Sequence, residues 1–322
     1  KMAHELTMRG DVAEMAFMGQ VPWHGLGQQL SPGASIEEWT DAAGMNWEIK
    51  SSPVVFDAVE GLQLEMPSKQ VLYRSDNNLP LSIVSSRYNV VQPGEVMEFF
   101  RDISESNDFQ LDTAGTMFDG RRFWALAKIG ESANVLGTDK VDGHLLISTS
   151  CDGSLQSSAQ FTAVRVVCAN TLSMALSEKN KKEVSVSHRQ IFNAGEMKDK
   201  LGIARGNFAT FINASRQLAN KKMSDAQAEQ FVAKLLKNTV MKNNDKVGES
   251  KTFQKIMSLF KGEAIGSELD GCQNTAWAAV NSITEFVDHH TRTRSDSARL
   301  ANAWFGSGDT LKTLALEMAL AE

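Results

Sequence analysis

The chain has 322 residues, 42% of them hydrophobic, with 33 Lys+Arg against 39 Asp+Glu for a formal net charge of −6. That length holds one large domain or two ordinary ones around a buried core, and the acidic balance excludes a simple polybasic nucleic-acid binder. Three cysteines (Cys151, Cys168, Cys272) without a CxxC pair support neither a disulfide framework nor a structural zinc site. With no basic-then-apolar leader and no run of about 18 apolar residues, neither a signal peptide nor a membrane span is expected, and a cytoplasmic setting is.

The charge is uneven. Residues 1–119 carry 7 Lys+Arg against 18 Asp+Glu, residues 120–205 carry 12 against 8, and residues 206–322 carry 14 against 13. A basic middle beside an acidic flank suits a surface for polyanions or for a neighbouring copy, and ordinary variation between domains also produces it.

In chain order, residues 1–35 read as an N-terminal arm, because PWHGLGQ at 22–28 is too Gly-rich and irregular for regular structure. Trp23 and His24 would suit a ligand site, but a Trp anchoring a loop accounts for them more simply. Ser35 and Glu38 form a capping box for the helix IEEWTDAAG, which Gly44 ends. A half-buried strand follows in MNWEIKSSPVVF. Two or three strands lie between Val71 and Val91, joined by the turn Ser75-Asp76-Asn77-Asn78. Arg74 and Arg87 stand beside Tyr73 and Tyr88, where they either stack bases or face solvent and acids. Gln92-Pro93-Gly94 breaks the sheet, and EVMEFFRDISES is an amphipathic helix.

A hairpin follows in DTAGTMFDGRRFWALAKI, with Asp119-Gly120 as a type I′ turn. Alternation puts Arg122, Trp124, Leu126 and Lys128 on one face of its second strand and Arg121 on the other. Two cations with an aromatic suit a sugar-phosphate backbone with bases stacked alongside, although the end of a solvated strand looks the same. Further strands are predicted over 141–149 and 160–167 around the turn Asp152-Gly153, with Asn170 capping a helix Thr171–Ser177. Arg165, inside the apolar run AVRVVCA, is either a buried cation with a partner or an edge residue reaching a polyanion. Lys179, Lys181 and Lys182 extend the basic character.

Beyond residue 190 the pattern is helical, with helices predicted at 194–220, 224–243, 250–260, 273–291 and 309–321 and Ser224 as an N-cap. Trp277, Val280, Ile283 and Val287 repeat at helical spacing as a packed face. The fold class that follows is α+β: an antiparallel β-sheet with hairpins running into a helix, then a helical C-terminal region. The expected division is an arm at 1–35, an α+β core at 36–190 and a helical domain at 191–322.

Phosphate-binding loops, GxGxxG after a strand, HExxH and GxSxG are absent, so no catalytic residue, metal or cofactor is assigned. His289-His290 with Asp288 and Glu285 offers partial metal-ligand spacing, but adjacent helical residues point about 100° apart and a solvated helix end explains them better. Cys151 beside Asp152, with His144 or His188 as a base, would make a nucleophile only at hydrogen-bonding distance, and Ser- and Asp-rich turns are ordinary in hairpins.

Several short blocks share one likeness. They are Trp23-His24-Gly25-Leu26-Gly27, Arg74-Ser75-Asp76, Arg87-Tyr88, Gly120-Arg121-Arg122, Cys151-Asp152-Gly153-Ser154, the block from Val164 to Leu172, and Trp304-Phe305-Gly306. Together they resemble the phage- and plasmid-associated family called domain of unknown function 932, which has no settled activity. The order of elements is also similar to the core of phage single-strand annealing proteins. That likeness implies a ring or filament of copies holding one DNA strand by its backbone without metal or nucleotide. The function expected is therefore single-stranded DNA binding and annealing by a homo-oligomer. Arg121, Arg122, Lys128, Arg165, Lys179, Lys181 and Lys182 would lie on phosphates and Trp124 would stack. The alternative is a protein-binding or counter-defence module that docks a basic partner through the acidic N-terminal third.

Overall fold

The structure, a computed structural model, describes residues 6–19, 26–104, 109–155, 157–167, 170–173, 194–239, 246–293 and 296–321. The chain is α+β and divides into two compact units. Unit 1 comprises Lys1–Ile129, Leu145–Gln160 and Ser185–Asp199; unit 2 comprises Gly130–His144, Phe161–Val184 and Lys200–Glu322. Three strands, β9 (Arg122–Asn134), β10 (Lys140–Ser150) and β11 (Ser158–Arg165), each run from one unit into the other.

Unit 1 opens with the two-residue strands β1 (Met8–Arg9) and β2 (Val12–Ala13). Then β3 (Met15–Met18) pairs parallel with β4 (Gln28–Leu30) and antiparallel with β8 (Gln110–Met117), which continues into β9. The segment expected to be an arm therefore contributes strands to the main sheet, with Ala16 and Phe17 in the core. Trp23 and His24 lie outside the described residues. A second, antiparallel sheet is built from β5 (Ile49–Asp57), β6 (Gln63–Arg74) and β7 (Pro80–Ser85). Helix α1 (Ile36–Ala42) starts at the expected Ser35–Glu38 capping box, and α2 (Pro93–Ser104) is the expected amphipathic helix.

The hairpin between β8 and β9 turns one residue earlier than its Asp-Gly signal suggests. Phe118 and Asp119 both take left-handed backbone (φ 56° and 60°), and Gly120 follows at φ 90°. The cause is packing: a Cβ on Gly120 would stand 2.7 Å from the Trp47 ring and 2.9 Å from Arg74 Nη1, so only glycine lets the turn close over that pair.

Arg74 is the centre of unit 1, at 1% exposure. Its guanidinium grips Glu14 with both ends of the fork, Nη2 to Oε1 at 2.7 Å and Nη1 to Oε2 at 3.1 Å. It also donates to Asp76 (Nε to Oδ1 3.0 Å, Nη2 to Oδ2 2.9 Å) and lies 4.1 Å over Trp47. Glu14 takes a further bond from Thr116 Oγ1 at 2.6 Å. Burial opposes the charge of Arg74, but the hydrogen bonds it donates to Asp76 and Glu14 more than offset this and raise its pKa; in turn the guanidinium lowers that of Asp76. The Arg74–Tyr73 pair is thus no base-stacking surface. Tyr88 likewise turns inward, donating its hydroxyl to Ser150 O at 3.0 Å.

In unit 2, β11 turns back into β12 (Asn170–Ser173), where the sequence suggested a helix start. Tertiary partners decide this: the Thr171 amide donates to Asp288 Oδ2 at 2.7 Å, and four residue pairs join the two strands. Helices α3 (Ala194–Asn220), α4 (Asp225–Asn238), α5 (Lys251–Ser258), α6 (Ala276–Glu285), α7 (Asp296–Phe305) and α8 (Ser307–Ala321) follow. All but α7 were foreseen, and Ser224 caps α4 in a capping box with Gln227. Two π-turns extend helices: Leu259–Glu263 after α5 and Phe286–His290 after α6.

Truncating Arg74 while leaving Glu14 buried strands a carboxylate in the core. We expect Arg74→Met to lower unfolding stability in urea by about 3–5 kcal/mol, with Glu14→Gln/Arg74→Met recovering part of the loss.

Candidate anion-binding cleft

Among the described residues, the cations expected to form one DNA track are Arg121, Arg122, Lys128 and Arg165, and each has a partner within the protein. Arg165 is 4% exposed, with Nε on Asp139 Oδ1 at 2.6 Å, Nη1 on Ile265 O and Nη2 on Gly266 O, both at 3.1 Å. Trp124 is 1% exposed, so it packs in the core and offers no face to a base. Residues Phe123 to Ala127 are buried on both faces of β9, which is why the alternation read from sequence did not identify a solvent side.

Arg122 and Lys128, six residues apart on β9, are separated by roughly 20 Å of strand. Arg122 Nε donates to Ser154 Oγ at 3.1 Å, with its guanidinium carbon 4.8 Å from the centre of the Phe118 ring. Lys128 faces Asp112 at 3.6 Å and Arg121 faces Asp119 at 3.5 Å. Lys179, Lys181 and Lys182 lie outside the described residues.

The two described thiols, Cys151 and Cys272, are buried, and Cys168 lies outside the described residues. Desolvation, with Asp152 adding to it, pushes Cys151 up to about 12. Cys272 also rises to about 12, again chiefly through burial. Its sulfur receives Arg165 Nη2 at 3.1 Å and donates to Asp139 Oδ2 at 3.4 Å, and Trp277 Nε1 completes that carboxylate at 2.9 Å. Neither thiol is poised as a nucleophile. Among the described residues no group of three His, Cys, Asp or Glu side chains is placed to hold a metal. Asp288, which the sequence put beside His289-His290, accepts from Lys312 Nζ at 2.7 Å and from Thr171 instead.

What the helices of unit 2 do assemble is a cationic cleft. A cavity of about 480 Å³ is lined by Lys251, Thr252 and Lys255 of α5, by Phe286, Val287 and His290 of the π-turn, by Thr291 and Arg292, by Asn302, and by Ser307, Gly308 and Leu311. Its composition follows from the amphipathicity of α5. Phe253, Ile256 and Met257 are buried, so Lys251 and Lys255, one turn apart, share the opposite side. The first residues of α5 and of the 15-residue α8 both line the cleft, adding the positive ends of two helices.

Asn302 fixes the α8 end: its Oδ1 accepts from Gly308 N at 3.1 Å and Ser307 Oγ at 3.0 Å. A Cβ on Gly308 would stand 2.7 Å from Val287 and from Asn302 Nδ2, so this close approach needs glycine.

Two carboxylates modulate the cleft. Glu263 accepts from Ser258 at 2.8 Å and Lys255 at 3.2 Å, and the Ser258 bond first, then Lys255, hold its pKa below the usual range. The buried Glu285 stands 3.5 Å from His290 Nε2. Burial pushes the His290 imidazole below its ordinary value; Glu285 opposes that shift, while Lys255 and His289 add to it. Near neutral pH His290 is therefore chiefly a neutral hydrogen-bonding ring beside the basic side chains of Lys251, Lys255 and Arg292. Sequence reasoning singled out His290 only for metal-ligand spacing and missed Lys251, Lys255 and Arg292, because about 35 positions separate α5 from the π-turn. Only the Lys251–Lys255 spacing was visible.

A second cavity, about 380 Å³ in unit 1, is lined by Trp39, Phe109 and other apolar residues, and its cation Arg101 pairs with Glu37 and Glu98. It lacks the clustered positive charge of the unit 2 cleft. No helix among the described residues is long and apolar enough to cross a membrane.

At pH 8 a thiol with a pKa of about 12 has on the order of a thousandfold less thiolate than an ordinary cysteine. Iodoacetamide labelling followed by peptide mass mapping should show Cys151 and Cys272 alkylated far more slowly in the folded chain than in urea.

No curated protein and no solved structure matches the chain. A family model described as Domain of unknown function (DUF932) matches residues 80–304, a span that includes the Arg165 network, α5, both π-turns and most of the cleft lining. With well over half its length covered by that match, the chain belongs to the DUF932 family.

Proposed function

We propose that this protein binds single-stranded nucleic acid through its phosphates, and that the α5–π-turn–α8 cleft is where a phosphate and its nucleotide sit. One observation carries the reading: Lys251, Lys255, His290 and Arg292 converge on a cavity of about 480 Å³ that also has an apolar wall of Phe286, Val287 and Leu311. Cavities of that size accommodate a nucleotide-scale ligand, and lysine and arginine are the usual phosphate partners. The half-buried Phe286 offers a ring beside the charged rim, as single-strand binders require. Holding a strand by its backbone leaves base edges free to pair, so strand annealing is the activity we propose. The contact set differs from the β-hairpin track suggested by the sequence: its centre moves to the helices of unit 2.

Affinity for a fluorescein-labelled oligodeoxynucleotide, read by anisotropy, is expected to fall steeply between about 50 and 200 mM salt. Lys251→Ala/Arg292→Ala should reduce the salt slope by about 1.4, near 0.7 for each lost contact on a single strand. Arg122→Ala/Lys128→Ala should leave it unchanged. Binding that is indifferent to salt, or to the first pair of substitutions, would overturn the assignment. A mononucleotide that competes as well as the oligonucleotide would identify a small-molecule site instead.

The pH dependence has a definite sign. Because burial, opposed by Glu285, holds the folded-state pKa of His290 below its ordinary value, the imidazole is chiefly neutral between pH 7 and 8 and gains its proton on the acid side. Affinity should therefore be flat over that range and rise as the pH is lowered further, when protonation adds a cation to the rim. In His290→Gln the acid-side rise should disappear while the neutral-pH affinity persists.

A further inference from the structure

On the reading of the cleft given above, we propose that its ligand is the phosphorylated end of a strand, a phosphate monoester on a terminal nucleotide, and that Asn302 helps to select it. The polar groups around the cavity are chiefly donors. Lys251, Lys255 and Arg292 bring N–H groups and Thr252 and Ser307 bring hydroxyls, while no described residue that lines the cavity carries a carboxylate.

Asn302 adds a donor whose orientation is fixed. Its Oδ1 already accepts from Gly308 N at 3.1 Å and from Ser307 Oγ at 3.0 Å, so the amide cannot turn over without losing both bonds. That leaves Nδ2 beside the start of α8, with no acceptor for it among the described residues. A phosphodiester in mid-chain has few free oxygens to offer such a lining and carries a single negative charge. A phosphate monoester presents three acceptor oxygens and about −1.5 to −2 charge near pH 7.

The basic side chains and the shape of the cavity favour the same ligand. Lys255 is shared with Glu263 at 3.2 Å, whereas neither Lys251 nor Arg292 has a carboxylate partner among the described residues. Two uncommitted basic groups suit the double charge of a monoester. Proteins that track a strand along its length use a groove holding several nucleotides. Here a cavity of about 480 Å³ is walled by the buried Val287 and Leu311, with the exposed Lys251 and Arg292 toward solvent. A nucleotide flipped out of mid-chain would also enter such a cavity, but it brings only diesters.

The test is competition against a labelled 5′-phosphorylated oligodeoxynucleotide bound to the full chain, read by anisotropy. The competitors share one sequence and carry a 5′-phosphate, a 3′-phosphate, hydroxyls at both ends, or no ends at all because the strand is closed into a circle. At least one phosphorylated competitor is expected to bind about tenfold more tightly than the hydroxyl-ended and circular strands, the worth of one added hydrogen bond to a charged group; which one it is assigns the polarity. Asn302→Asp keeps the oxygen that holds Gly308 and Ser307 but replaces the Nδ2 donor, so it should fold normally by circular dichroism and bring that ratio close to one. A wild type that binds the circle as tightly as both phosphorylated ends, or an Asn302→Asp variant with the full preference, would overturn the proposal. If circle and ends bind equally but Lys251→Ala/Arg292→Ala weakens both, the cleft still holds nucleic acid and only end selection fails. If no strand binds, both readings fall.

Discussion

A guanidinium taken out of water must have its N–H donors met, and most of the architecture is arranged around two that are. Arg74 in unit 1 and Arg165 in unit 2 are each almost fully buried and each is held by a carboxylate distant in sequence, Glu14 and Asp139. Removing either partner leaves an uncompensated charge in a low-dielectric interior, a far larger cost than the pair's net gain. These pairs therefore fix geometry more than they add stability. Gly44 and Gly120 show how closely the surroundings fit: a Cβ at Gly44 would stand 2.4 Å from Glu14, and one at Gly120 would meet Trp47 and Arg74.

The same accounting decides which cations remain for a ligand. Arg74 and Arg165, embedded in strands, are consumed by internal carboxylates and carbonyls, whereas Lys251 and Lys255 project from the side of their amphipathic helix opposite the core. In unit 2 the π-turns give the second pair a place to gather. A five-residue turn inserted after α6 re-aims Phe286, Val287 and His290 relative to the helix before it, and the equivalent turn after α5 brings Glu263 back to Lys255. Each turn closes its helix, with Ala264 and Thr291 already in extended backbone, and so sets the direction in which the last side chains leave it.

Much of the fold was legible because its signals are local. The capping boxes at Ser35 and Ser224 and the helix at Ala194–Asn220 are each determined within a few residues of sequence. The errors have one origin: a tertiary partner decided the outcome. Thr171 is in a strand because Asp288, 117 residues away, accepts its amide, and Trp124 is hidden because the sheet is covered on both sides at that point. Arg165 was recognised as either a buried cation or an edge residue, and only the position of Asp139 distinguishes the two. The cleft was the least legible feature, since nothing in a single sequence reveals that Lys251 and Arg292 line one cavity.

Because β9, β10 and β11 each cross from one unit to the other, every unit is assembled from three separate stretches of chain. No single cut yields two self-sufficient pieces. During synthesis the first unit lacks part of its sheet until residues near 160 have emerged, and the sheet segments of the second are laid down before its helices exist. Maturation is thereby bound to a late, concerted event, and fragments truncated at any one point should be degraded rather than accumulate as partial domains.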